Sequence, residues 1–422
     1  MTATTTTSSF TPVRLHGPEH AADPQRSYEL LRAQGPVGLA EIDEGVHAYV
    51  VTDYRAALDL LRDTETWSKD TRPWLHRVPE TSAVRPMVEW RPSVFFADGA
   101  EHDRLRTVIT DSFALLDPDD VRRRTFRYAD ELLRGFAAEG RADLVSQYAV
   151  RLPLMVFNAL FGMPDAEADD LIHALTAMVD GDESDKAKGA QTFQAYLSRL
   201  YTSKLSRRGQ DLTSWYLDHP NGLDQDEVVN QVLITLGAGN EPLANLIANT
   251  LLRLLTDERY FSDLSTGGLP VQSAIHESLW ADAPLATYSL HIARRDVAFH
   301  GVLIPVGSPV MVSYAAANTC PYAGAPTEGQ RSGPRAHLSF AAGPHTCPAQ
   351  STALLVATAA VERLLGFLPD IEIAVPKEEL TYRPSPVHRS LSALPVTFTA
   401  LHPQSRVANP WSARTAAVPD TP

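Results

Sequence analysis

Apolar positions recur at helical spacing through most of the chain. In "DGAEHDRLRTVITDSFALL", residues 98–116, Leu105, Val108, Ile109 and Phe113 fall on one face of a 3.6-residue period. Asp98 stands where an N-cap belongs, and Glu101 three residues on completes a capping-box pattern, so a helix is predicted to open there. Asp224 and Glu227 repeat that start ahead of "VVNQVLITLGAGNEPLANLIANTLLRLL". The pattern then continues for roughly thirty residues, about 45 Å of helix if unbroken, enough to cross a whole domain. Strand signals are fewer. Residues 296–314 read as strands joined by Gly/Pro turns, with shorter candidates at 45–54 and 394–401. The pattern predicts a mainly α fold with a minor β portion.

The ends differ from the middle. Residues 1–24 are rich in Thr, Ser and Pro and predict a flexible N-terminal arm. Residues 403–422 predict a flexible tail in the same way. Between them, 25–402 show no linker, composition break or internal repeat, and read as one domain.

Composition narrows the function classes. Hydrophobic residues make up 44% of 422, enough for a sizeable core. The formal charge of −14 disfavours nucleic acid, which binds through clustered Lys and Arg. Two cysteines exclude a disulfide framework and fit a reducing cytoplasm. The polar start "MTATTTTSSF" offers no apolar signal or spanning segment, so no membrane partner is expected.

One of the two cysteines lies in a chemically loaded loop. Cys347 precedes Pro348, a residue suited to a first helical position, and an apolar helix pattern follows from Ala353. A helix N-terminus lowers a thiol's pKa, so Cys347 reads as a core residue, a nucleophile or a metal ligand. Gly343 permits a tight turn or the close approach of a flat ligand.

"FAAGPHTCPA", residues 340–349, resembles the haem-binding loop of cytochromes P450, Phe-Gly-x-Gly-x-His/Arg-x-Cys-x-Gly. Phe340, Gly343, His345 and Cys347 match, while Ala341 and Ala349 stand at glycine positions. "EHDRLR" resembles the family's C-helix, "LPLMVFNALFGMP" its E-helix, and "EELTYRPSPVHRSLSALPVTF" its C-terminal sheet region. The resemblance implies the family's triangular helical prism with a long central helix, and haem b ligated by the Cys347 thiolate. It implies that His102 and Arg106, four apart on one helical face, grip a haem propionate. It also implies monooxygenation (hydroxylation, epoxidation or oxidative coupling) of an apolar small molecule in secondary metabolism. Electrons would come from NAD(P)H through ferredoxin reductase and a ferredoxin, which is acidic and would meet a local basic face, with Arg104 and Arg122–Arg124 as candidates. The pocket would be lined by Trp90, Phe95, Phe96, Leu236, Ala238, Leu285, Ala286 and Thr287.

The sequence departs from the family at four places. In "HESLW", Glu277 keeps the acid of Glu-x-x-Arg but Trp280 replaces the arginine, so Glu277 needs another cation, with Arg331 and Arg335 as candidates. In "AGNEP", Asn240 precedes Glu241 at the relay-acid position, and Pro242 replaces the alcohol and predicts a kink. His291 stands where a propionate-binding arginine is usual, with Arg294 reachable only by a register shift. Pro348 has no N–H to give the sulfur, which predicts a lowered iron potential. These departures keep two alternatives open: a haem protein of this fold that binds or senses without monooxygenation, and a peroxide-driven enzyme.

Overall fold

The computed structural model describes residues 10–180, 182–260, 271–321, 323 and 336–401. Seven helices build the site: α1 (Tyr54–Arg62), α2 (Gly99–Ala114), α3 (Pro118–Phe136), α4 (Arg151–Leu160), α5 (Gln225–Thr256), α6 (Val271–Ala281) and α7 (Gln350–Phe367). Helices dominate and the sheets are small, as the pattern predicts.

The long helix forms as its sequence dictates. The Asp224 carboxylate accepts the Glu227 N–H at 2.8 Å, and the Glu227 carboxylate accepts the Asp224 N–H at 3.0 Å. Together they close a capping box. The 32 residues of α5 run without interruption across Pro242, so the predicted kink does not break the helix. From Leu243 to Leu252 every residue of α5 is buried, as for a helix that crosses the core. Gly239 permits the crossing with α4, because a Cβ there would come within 2.5 Å of Phe157.

The start of α2 differs from its prediction. Asp98 occupies the N-cap position but does not cap. Its carboxylate instead accepts the Ser68 hydroxyl, the Lys69 N–H and Arg294 Nη2, while Glu101 pairs with Arg104. Asp98 thereby ties three distant segments together, which outweighs a local cap.

The strands are β1 (Val13–Arg14), β2 (Val37–Asp43), β3 (Val46–Val51), β4 (Trp67–Ser68), β5 (Arg141–Asp143), β6 (Thr287–Ala293), β7 (Val297–Phe299), β8 (Val302–Ile304), β9 (Pro309–Ser313), β10 (Glu372–Ile373) and β11 (Pro395–Thr397). The largest sheet has the order β1-β2-β3-β9-β6-β4, and a second runs β10-β11-β5. The antiparallel β4–β6 pair sets Trp67 against Ala293 and Ser68 against Ile292. A bulge interrupts β6 between Tyr288 and His291, where Ser289 takes φ +55°.

Part of the predicted arm is ordered. Val13 and Arg14 pair with Ala40 and Glu41, Leu15 is fully buried, and helices Gly17–Ala22 and Pro24–Ala33 follow. Val13 and Leu15 alternate apolar side chains across the polar composition, and that alternation recruits the segment to the sheet. Residues 1–9 and 402–422 lie outside the described residues.

A histidine of this ordered stretch makes stability depend on pH. His20 is buried with Nδ1 3.0 Å from Ser27 Oγ, and its pKa falls from 6.5 to about 4 through burial and then the charges of Arg389 and His16. It is neutral in the folded chain and takes a proton on unfolding. Its contribution is therefore complete above about pH 6.5 and lost as pH falls toward 4, by at most about 3 kcal/mol. Thermal melts should show that decline, and His20→Gln should flatten it. An equally steep decline in the variant would refute the assignment.

Candidate active site

Beneath α5 lies an almost wholly apolar cavity of about 240 Å³. α5 contributes Ala238, Gly239 and Pro242, α4 contributes Phe157, and α2 contributes Arg106 and Phe113. The floor is the loop from Ser339 to Ala349 with Cys347 facing in.

That loop is a set of tight turns docked on α1. Ala341 N–H donates to Leu338 O at 2.7 Å, Cys347 N–H to Phe340 O at 2.9 Å, and Thr346 N–H to Gly343 O at 3.1 Å. Gly343 has φ +70°, and a Cβ there would lie 2.1 Å from the Leu61 carbonyl oxygen. Ala341 also sits in the left-handed region at φ +59°, where alanine is strained and glycine is not. Ala341→Gly is expected to stabilise the protein by about 1 kcal/mol, read as a raised melting temperature. A melting temperature that stays the same or falls would contradict this.

α7 starts at Gln350 with Ala349 as its N-cap, so Pro348 stands just outside the helix instead of at its first position. The thiol of Cys347 is pushed up by burial and held down in part by the Ala349 N–H and the Arg106 charge. The sulfur is a single soft donor facing an apolar cavity, and Cys320 is buried elsewhere, against Trp280 and Ala323. Among the described residues no cluster of His, Cys, Asp or Glu forms an all-protein metal site.

Basic groups gather at one edge of the cavity. The His102 and His345 rings lie 4.2 Å apart, and His102 Nε2 is buried without a hydrogen-bond partner. Arg106 lines the cavity half-buried, and burial lowers its pKa. His345 is held well below the usual histidine range by burial, then by Lys69, His102, His291 and Arg106. His291 is buried with Nδ1 2.6 Å from the Ser289 carbonyl, and burial and the Lys69 charge hold it well below its ordinary value. A carbonyl only accepts, so that contact places the ring proton on Nδ1 and leaves Nε2 an acceptor. In that tautomer the neutral ring has no N–H left for a carboxylate, so His291 would donate to one only when protonated, which burial opposes. Arg294 does not substitute, because it binds Asp98 at 2.7 Å.

This donor set fits haem. Cys347 offers sulfur to the iron, the apolar walls suit the macrocycle, and the His102 Nε2 and Arg106, both without a partner among the described residues, suit its carboxylates.

The remaining candidates scatter. Phe95, Ala238 and Leu285 line the cavity, and Phe95 stacks on Tyr288 with centroids 5.4 Å apart. Trp90 is turned outward under the Arg72 guanidinium, 4.3 Å from its ring. Phe96 is buried behind Phe95, and Leu236 is buried two residues before Ala238 on another face of α5. The N–H groups of Ala286 and Thr287 both donate to Val387 O, which draws them into the wall and away from the cavity. Of the "NEP" triplet only Pro242 lines the cavity. Glu241 Oε1 accepts Arg383 Nη2 at 2.9 Å and Ser390 Oγ at 3.1 Å, and Asn240 Oδ1 is buried without a partner.

Glu277 has cations that its sequence neighbourhood does not show. Its Oε2 accepts Arg259 Nη2 at 2.8 Å, and Arg253 Nη1 lies 3.7 Å away. Arg331 and Arg335 lie outside the described residues. Trp280 packs edge-on against His337, with centroids 5.8 Å apart, and joins an apolar cluster with Cys320 and Ala323. The expected basic face is compensated within the chain: Arg104 binds Glu101 and Glu227, Arg122 binds Glu362, and Arg123 and Arg124 bind Asp120.

No family model matches the chain. Among curated proteins it is 31% identical to the vitamin D(3) 25-hydroxylase of Pseudonocardia autotrophica, over 89% of this chain and 94% of that one. It is 30% identical to the cytochrome P450 monooxygenase PikC of Streptomyces venezuelae, over 90% and 92%. Among solved structures it resembles CYP154C4 from Streptomyces sp. W2061 at a TM-score of 0.82 and 25% identity, over 92% of this chain and 98% of that one. Among the described residues no helix is long and apolar enough to cross a membrane.

Proposed function

The chain belongs to the cytochrome P450 family of haem monooxygenases, and from that premise we propose that it oxidises an apolar small molecule at haem b ligated by the Cys347 thiolate. The observation that carries this reading is Cys347 lining an apolar cavity roofed by the unbroken α5. Bound there, the haem supplies oxygen activation, which the electron-rich sulfur promotes.

This chain's own residues do the rest. The Ala349 N–H steadies the sulfur, and Arg106, His102 and His345 would hold the cofactor's carboxylates. Phe95, Phe113, Phe157 and Leu285 exclude water and bind the substrate through apolar contact. Glu241 is the acid for proton delivery. With proline at 242, the hydroxyl beside it is that of Ser390. Electrons come from NAD(P)H by way of ferredoxin reductase and a ferredoxin, in the cytoplasm. The first relative's name gives vitamin D(3) hydroxylation to that protein, and it supports an apolar small-molecule substrate here.

One observation favours a second reading. Pro242 faces the cavity while Glu241 is tethered to Arg383, an arrangement suited to peroxide-driven oxidation or to ligand binding without turnover.

The test is a screen of the purified protein for apolar compounds that shift the haem spin state, followed by turnover with a ferredoxin system or with peroxide. A thiolate-type reduced carbonyl spectrum with ferredoxin-supported product formation is expected. Spin shifts without product under any electron source would sink the monooxygenase reading. Pro348→Leu, which restores an N–H beside Cys347, is expected to raise the iron midpoint potential; a fall would contradict the role given to Pro348.

A further inference from the structure

We propose that Lys69 is a carboxylate-binding residue of the cofactor site, supplying the positive charge that His291 does not. The inference rests on the haem reading above and adds a contact that the sequence reading did not assign.

Lys69 follows β4 directly. Continuing the β4–β6 register by one residue sets Lys69 across from His291, on the same face of the sheet. Its side chain is 3% exposed and lines the cavity. The ammonium donates to Leu290 O at 2.7 Å and lies 5.4 Å from the Phe95 ring centroid. No carboxylate among the described residues comes within ion-pair distance of it, and Asp98, the acid nearest in effect, is committed to Ser68, the Lys69 backbone N–H and Arg294. An ammonium has three donors, and one of them is used.

A buried, unpaired lysine is costly, and burial lowers this one from 10.5 to about 7. The groups around it explain what would compensate. His291 lies across from Lys69 in the continued β4–β6 register, and its Nδ1 is taken by the Ser289 carbonyl. Arg106 is the other cation at this edge of the cavity. Haem brings two carboxylates. With Arg106 alone, one of them would lack a fixed cation among the described residues. With Lys69 the count is two against two. Asp98 fixes the arrangement, because it holds the Lys69 backbone at the start of the helix that carries His102 and Arg106.

The experiment measures transfer of haem from the holoprotein to excess apomyoglobin, for wild type, Lys69→Met and Lys69→Arg. It is repeated with protein loaded with iron protoporphyrin IX dimethyl ester, whose carboxylates are blocked. Lys69→Met should release natural haem about tenfold faster or more, the size of one charge-assisted hydrogen bond, and Lys69→Arg should restore most of the retention. With the diester, wild type and Lys69→Met should release at the same rate. Equal rates with natural haem overturn the proposal. So does an acceleration that persists with the diester, since that marks a packing role. If Lys69→Met yields no holoprotein, Lys69→Gln is read by the same criteria. Wild-type protein that takes up no haem overturns the cofactor reading itself, and a haem-binding wild type with an indifferent Lys69 overturns this inference alone.

Discussion

Gly343→Ala is expected to cost more than about 4 kcal/mol and to leave the purified protein with little haem. Two effects add. The residue sits at φ +70°, where a Cβ costs about 1–2 kcal/mol by itself. The new carbon would also lie 2.1 Å from the backbone oxygen of Leu61, and a backbone atom at a helix end cannot swing aside as a side chain tip can. The Cys347 turn must lift from α1, and the sulfur moves with it. The check is a thermal melt together with the haem-to-protein ratio. Wild-type values for both would mean that the loop does not dock on α1 as described.

Glu277→Ala is the second large effect. The side chain is 10% exposed, and its carboxylate is shared by Arg259 and Arg253. Removing one member of a buried ion pair costs about 3–5 kcal/mol when its partner is left bare. Here the loss should lie at or just below the low end of that range, about 2–3 kcal/mol. Arg259 keeps Asp257 and Arg253 keeps Asp282. Because α6 packs against α7, haem retention should fall with stability. Arg259→Met should reproduce most of the loss, whereas an arginine-independent effect would give Arg259→Met a wild-type melt. An unchanged melting temperature and full haem content in Glu277→Ala would remove Glu277 from the structural core.

These two residues differ in how legible they were. The Cys347 loop could be read from sequence because its constraints are local: a turn glycine, a sulfur and a helix start within about ten residues. The capping box of α5 was legible for the same reason. Asp98 carried an equally good local signal, and it failed because Ser68, Lys69 and Arg294 compete for its carboxylate. The partners of Glu277 were not legible. Arg253 and Arg259 lie at and just beyond the end of α5, 24 and 18 positions upstream, and only helix packing brings them to α6. The cavity wall was half legible for a related reason. Sequence nominates segments, but which face of a segment is wetted depends on neighbours, so Ala238 lines the cavity while Leu236 does not. His291 shows a finer limit. Its position was readable, but its tautomer is set by the Ser289 carbonyl at a bulge that no periodicity announces.

The sheet formed by β10, β11 and β5 bears on how the chain is made. β11, residues 395–397, pairs with β5, residues 141–143, and Asp143 accepts the Leu394 N–H. The tether on Glu241 likewise comes from Arg383 and Ser390. A nascent chain emerges N-terminus first, so the central helix appears long before the residues that hold its acid in place. Until the segment from 383 to 397 has left the ribosome, β5 has an open edge and Glu241 has no counter-charge from that turn. The final closure of the site, and stable cofactor loading with it, therefore waits for that segment. A ribosome-stalled chain ending before residue 383 should remain protease-sensitive and fail to retain haem.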